Sequence, residues 1–397
     1  MQEEGPIDSV ARMVRSFRSN NADGKKEREY LEILADTIGH LHERVGLTRS
    51  MRVLDVLQSE SENACRVEQI ILPTFKGKLK SLSLALNSPD WQDDAMTLFD
   101  PILNELIEID NLLEQLEVSI GSTRRDTMLE EEIFPFRVSV ISRQFADLYS
   151  RGLCPLFSAC QTFFNWFDYS SLPFIREENG LHVARLTTAS VEKIDDLIPT
   201  LRKPLLRVAK KEWKVFVEGI DFQFKKPVKR RILNSPHGHS DDWFSDSGKA
   251  ERDKSFKAVT LVSKLCRIYF HQLSRSNANP PLIFASPSME MKEDRLNHFF
   301  HFTQTTTYSI KEFLEMSITR STDRQSLQEA TYDLEDSVAE LSQILEKYWD
   351  TLLLKEDPPV NQEAIAEARR WLKSWRSMFL IATEKFMRVT GCRELHW

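Results

Sequence analysis

The sequence predicts an all-α protein built as two packed antiparallel bundles of long amphipathic helices. Three observations predict it. Apolar residues recur every three or four positions along most of the 397 residues, the spacing that places them on one face of a helix. Glycine numbers only 12, where an average composition of about 7% would supply roughly 28, and turn-rich β folds consume glycine. No run of alternating apolar and polar residues reads as a strand ladder.

Taken in order, residues 1–25 form a polar, mobile lead with few apolar positions. From Lys26 the period changes: Leu31, Leu34, Ile38, Leu41 and Val45 step by 3, 4, 3 and 4, and Gly46 is a plausible stop. Leu47, Met51, Leu54 and Leu57 predict a further helical stretch. Val67, Ile70, Ile71, Phe75, Leu79, Leu82 and Leu86 make the next face, in which Pro73 implies a kink or a fresh start. Phe99 to Ile120 follows, and a connector with Arg124, Arg125, Glu130, Glu131 and Glu132 separates it from an apolar run between Val138 and Phe167. Pro155 should bend or divide that run, whose hydrophobicity around the circumference suits a central position. Val191 to Ile220 resumes helical spacing, with Pro199 and Pro204 as expected kinks.

Residues 221–252 break the pattern with Pro227, Pro236, Gly238, Gly248 and dense charge. They are the expected charged flexible loop or linker between a bundle at 26–220 and a second at 253–397. In the second half, Phe256 to Leu273 and Leu296 to Leu314 form two faces, and Thr305, Thr306 and Thr307 predict a local break in the latter. Leu327, Leu334, Val338, Leu341, Leu345, Tyr348 and Leu352 are the cleanest heptad-like pattern, started by a capping box of Thr322 and Gln325. After Asp357-Pro358-Pro359, Asn361 caps a last helix carrying Ile365, Ala368, Leu372, Trp375, Phe379 and Phe386.

Composition excludes several classes. A net charge of -7 supplies no global basic field, so nucleic acid is not an expected partner. The cysteines Cys65, Cys154, Cys160, Cys266 and Cys392 are odd in number and widely spaced, which fits reduced thiols in an intracellular compartment, cytoplasmic or nuclear, rather than secretion. No apolar run reaches the length of a signal peptide core or a membrane span, so membrane insertion is not expected.

Catalytic motifs are sparse. Gly77-Lys78 and Gly248-Lys249 lack the upstream glycine of a phosphate loop, and no G-x-G-x-x-G or G-x-S-x-G occurs. His298 and His301 could share a helix face but form no Glu-x-x-His pair, and between Phe299, Phe300 and Phe302 they read as packing or rim residues. His237 and His239 with Asp241 and Asp242 look more ligand-like, though in a loop-like setting. No catalytic, cofactor-binding or metal-binding residue is assigned, and no cofactor is expected. The one local signal is basic: Lys225, Lys226, Lys229, Arg230 and Arg231, with Lys210 and Lys211 upstream, read as a nuclear-import signal or as a solvated charged loop. Trp371 and Trp375 at i, i+4 near Phe379 read as a core stripe.

The segments VEQIILPTFKGKLKSLSLAL (67–86), ILNELIEIDNLLEQL (102–116) and KLCRIYFHQLS (264–274) resemble a large family of uncharacterised helical proteins of rust fungi. Trp371-x-x-x-Trp375 and the ATEKF of 382–386 add to the likeness, which extends from about Arg49 onward. It implies a fungal source and a helical fold and carries no activity. At the level of fold alone, the two-bundle architecture is similar to cyclin-D-interacting helical proteins. The functional expectation is a non-catalytic interaction or scaffold protein with a protein partner. The alternatives are a bundle that binds a small molecule or lipid between aromatic-rich helices, and an enzyme whose catalytic residues are dispersed.

Overall fold

The structure is a computed structural model. It describes residues 9–20, 26–48, 65–88, 91, 95–119, 136–165, 173–233, 246–275, 281–286, 288–318, 324–354 and 361–392, the side chains at 48, 173–176, 223–233, 246–253 and 318 excepted. The fold is all-α, with no strand among the described residues. The chain divides into two compact units, Met1–Lys203 and Pro204–Trp397. The expected linker at 221–252 lies inside the second unit, where one helix runs on to Leu233 and the next begins at Asp246. Pro204, read from sequence as a kink, stands at the division itself.

The first unit contains α1 (Val10–Asn20), which forms a helix inside the expected mobile lead because Val10 and Val14 are buried, then α2 (Glu27–Thr48), α3 (Leu72–Leu86), α4 (Met96–Ser119), α5 (Phe136–Leu148), α6 (Cys154–Asn165) and α7 (Pro173–Arg202). Pro73 falls in the first turn of α3, where its missing N–H has no consequence, and a π turn at Val67–Ile71 leads into it. Pro155 does the same for α6, which follows a π turn at Tyr149–Leu153. The predicted division of the 138–167 run is therefore present, as a π turn rather than a break. Gly46 does not stop α2, which continues to Thr48; a glycine without a left-handed φ does not end a helix by itself. The stretch 49–64 lies outside the described residues.

Cross-links show how these helices run. Lys76 pairs with Asp195 and Glu68 with Arg202, both at 2.5 Å, so α7 descends as α3 rises. Arg66 reaches Gln115 while Lys78 reaches Glu105 and Glu108, making α3 and α4 antiparallel. Tyr30 stacks on Phe99 and Arg44 meets Asp110 and Glu117, so α2 and α4, not successive in the chain, run parallel. The core is the expected stripes: Leu34, Ile38, Leu41, Phe75, Phe99, Leu103, Leu106 and Phe157 are each fully or almost fully buried.

A charged knot ties α1, α2 and α4 together. The Asp110 carboxylate, fully buried, takes the Arg44 guanidinium at 2.8 Å and the Val10 backbone N–H at 3.0 Å. Glu117 takes the other edge of Arg44 at 2.7 Å. Burial opposes the charge of Arg44, but Glu117 and Asp110 outweigh it and hold the guanidinium above its ordinary pKa. Asp110 thereby supplies the first free amide of α1 with an acceptor, across 100 residues of chain.

The second unit contains α8 (Leu205–Leu233), α9 (Asp246–Ser274), α10 (Glu293–Ile318), α11 (Arg324–Leu353) and α12 (Gln362–Thr390). They close a ring in which α8 packs on α9, α9 on α12, α12 on α11, α11 on α10 and α10 on α8. Its successive pairs are antiparallel: Arg295 reaches Thr351 while Ser309 reaches Ser337, and Phe216 meets Phe270 while Asp221 meets Arg267. The interior is aromatic, with Trp213, Trp349, Trp375, Phe299, Phe300, Phe313 and Phe379 all buried. Each indole N–H is satisfied: Trp213 by Thr303 Oγ1, Trp349 by Leu282 O and Trp375 by Leu265 O. Trp375 also lies between Tyr269 and Phe379, while Trp371 stacks at its edge, as the core-stripe reading expects.

Two local expectations resolve differently. The helix does not break at Thr305, Thr306 and Thr307, because each hydroxyl donates to the carbonyl four residues back and follows the helix rather than competing with it. Asn361 caps α12 as predicted, accepting the Ala364 N–H at 3.0 Å. Gly391 then ends it at φ +69°, a left-handed conformation that glycine adopts without a Cβ penalty. The capping box at Thr322 falls outside the described residues.

The thiols report this packing. Burial pushes Cys160 and Cys266 up to about 12, so at pH 8 neither presents thiolate. Cys65 is exposed, and Cys154 is half-buried with its Sγ 3.2 Å from His42 Nε2. Differential alkylation with peptide mapping is expected to label Cys65 fastest in the native protein and Cys154 next. Cys160, Cys266 and Cys392 should label only after unfolding; native labelling of Cys160 or Cys266 would contradict the packing.

Candidate functional site

The heptad pattern of α11 and the apolar stripe of α12 bury Leu345, Leu372, Phe379 and their neighbours toward the ring interior. That leaves the outward flanks of both helices side by side. Arg369 crosses between them, 3.1 Å from Glu346 and also paired with Asp350, and Thr383 donates to Glu335 further along. These contacts run in opposite directions along the two helices, so α11 and α12 are antiparallel. A groove of about 740 Å³ lies between them.

Its floor is Leu372 and Leu380, and its walls carry Lys347, Arg369, Arg370, Lys373 and Arg376 against the single carboxylate of Glu346. Among the described residues, Arg369 is the one of these five cations that makes an ion pair. Lys347, Arg370, Lys373 and Arg376 are exposed and have no carboxylate within pairing distance among the described residues. In a chain of net charge -7, this is a local reversal of sign. Chemically, the groove offers unneutralised cations around an apolar floor, the arrangement that accepts carboxylates flanking an apolar contact. No aromatic residue lines it.

None of these residues carries a motif. The signal was present as spacing: Arg369, Lys373, Arg376 and Leu380 step by 4, 3 and 4. They read from sequence as the ordinary solvated back of an amphipathic helix. What that spacing lacks is the position of α11, which turns a charged flank into one wall of a groove.

The residues singled out from sequence lie elsewhere. Lys225, Lys226, Lys229, Arg230 and Arg231 fall in the last turns of α8, and their side chains lie outside the described residues. So do His237 and His239. His298 and His301 are both exposed, with ring centroids 4.8 and 5.8 Å from that of Phe302. Among the described residues no group of three or more His, Cys, Asp and Glu is placed to hold a metal ion. No helix among them is long and apolar enough to cross a membrane. The aromatic helices considered as pocket walls have their rings in mutual contact: Phe299 against Trp213, Phe300 against Phe216, and Phe163 against Phe164 and Trp91.

Residues 206–388 match the model of a domain of unknown function (DUF8721). The match spans α8 to α12 and includes the whole groove. No curated protein and no solved structure matches the chain.

Proposed function

We propose that this protein is a non-catalytic interaction protein and that the face formed by α11 and α12 is where another polypeptide docks. The observation that carries this reading is the set of four exposed, unpaired cations around the apolar floor of Leu372 and Leu380. A charge cluster of one sign is unfavourable for the folded unit on its own, and a partner's carboxylates would relieve it. The groove is also open along about 16 Å of α12, the rise of the 11 steps from Arg369 to Leu380, long enough for three turns of a partner helix.

Site-specific photocrosslinking in cells tests it. A benzophenone amino acid at Ser377, in the groove wall, is expected to capture a discrete protein adduct; the same probe at Tyr308, exposed on α10, is the control. Lys373→Glu with Arg376→Glu should abolish the Ser377 adduct. Absence of any discrete adduct at Ser377, or an adduct unchanged by the charge reversal, would overturn the assignment.

A further inference from the structure

The outward face of α11 changes sign along its length. Asp333, Asp336, Glu340, Gln343 and Lys347 step by 3, 4, 3 and 4, so they share one face, and all five are exposed. Asp333, Asp336 and Glu340 have no ion pair among the described residues, just as Lys347 has none. The antiparallel alignment of α12 reinforces this polarity. With Arg369 level with Glu346 and Asp350, and Thr383 level with Glu335, Arg370 is drawn level with Lys347 and Lys373 with Ile344. The α11–α12 face is thus acidic at one end, basic at the other, and changes over near Glu340.

We infer that the occupant of this face is a second copy of the chain, docked about a two-fold axis that passes near Glu340. This rests on the reading of the groove as a docking site and names its partner. The argument is the register of the charges. Asp333 and Lys347 stand seven residues either side of Glu340, and Asp336 and the level of Lys373 stand four either side. A two-fold axis at Glu340 therefore sets Asp333 against the partner's Lys347 and Arg370. It sets Asp336 against the partner's Lys373, while Glu340, at the axis, meets its own copy and is flanked by the Arg376 side chains of both copies. Leu380, 42% exposed, adds an apolar contact close to the axis. An isologous interface requires this mirrored order of complementary groups on one surface.

A uniformly acidic helix, a nucleic acid or an anionic membrane would meet the basic half favourably but be repelled by Asp333, Asp336 and Glu340. A copy of the same face matches both halves. The face holds seven unpaired charges among the described residues and little apolar area, so the assembly is held chiefly by charge and is salt-sensitive.

Sedimentation velocity and light scattering on the full chain, across a concentration series at low salt, test the inference. The wild type is expected to shift toward twice the chain mass and to return to monomer at high salt. Lys347→Glu/Lys373→Glu and Asp333→Lys/Asp336→Lys should each stay monomeric, because each sets like charges against like. Mixing the two variants should restore the doubled mass, since both halves of the mixed interface are then complementary. That rescue also shows that neither variant is merely misfolded. A wild type that remains monomeric at low salt, variants that dimerise as the wild type does, or a mixture that stays monomeric would each overturn it. If the wild type is monomeric while the Ser377 probe still captures a different protein, the dimer fails and the docking reading stands. Loss of both removes the reading with it.

Discussion

Asp110→Ala is expected to cost the first unit about 3 kcal/mol and to release α1. The substitution strands two buried groups at once. The Arg44 guanidinium, 13% exposed, loses one of its two carboxylates, and the Val10 N–H loses its acceptor. Breaking one side of a buried ion pair costs about 3–5 kcal/mol, and the low end applies because Glu117 still holds the other edge of Arg44. Glu117→Gln, at the more exposed end of the knot, should cost less, since an amide oxygen still accepts one hydrogen bond. Hydrogen exchange with mass spectrometry is the appropriate measurement, because a chain of two compact units has no single unfolding midpoint. Faster exchange should appear in 10–20, 27–48 and 96–119, with 293–390 unchanged. Unaltered protection of α1 would show that the knot does not hold it.

Trp349→Ala is expected to be the most damaging change in the second unit, at about 3–5 kcal/mol. The indole is fully buried in the ring of helices, so its loss leaves a cavity that five packed helices cannot close without moving. It also deprives the Leu282 carbonyl of its donor. The adjacent Tyr348 hydroxyl accepts the Phe284 N–H and donates to the Met289 carbonyl, so the two side chains together tie down the segment between α9 and α10. Burial, with a smaller contribution from Glu290, holds that phenol well above its ordinary pKa, consistent with a hydroxyl that only donates and accepts. Trp349→Phe should cost much less, near the 1 kcal/mol of one hydrogen bond plus a smaller void. Hydrogen exchange at 281–292 separates the cases. Both variants lose the indole donor, so faster exchange is expected in both and more in the alanine variant, and native protection in both would refute the clamp.

These two variants sit on opposite sides of a boundary that the sequence placed elsewhere. Residues 221–233 carry Pro227 and a dense run of charge, which reads as a break, yet they continue α8 to Leu233. The division falls instead at Lys203–Pro204, where Leu201, Leu205 and Val208 keep up helical spacing and disguise it. Periodicity records which residues one helix buries, not whether the next helix buries against the same neighbours. Pro204 was visible but ambiguous, because a proline inside a periodic run signals a kink or a new start equally well. The threonines at 305–307 show the converse. Their low propensity is a local quantity, and the packing of α10 with its hydroxyls bonded backwards overrides it.

What the linear order of residues determined is the class of fold and most of its helices. Apolar stripes at steps of three and four, few glycines and a capping asparagine at 361 are local facts, and a helix is a local structure. What only tertiary structure decided is which charges meet. Asp110 finds Arg44 from another helix, and Arg369 is neutralised while Lys373, one turn later, is not, because electrostatic pairing depends on distances between helices. The groove and its mirrored charge order exist only once α11 and α12 lie side by side in that register.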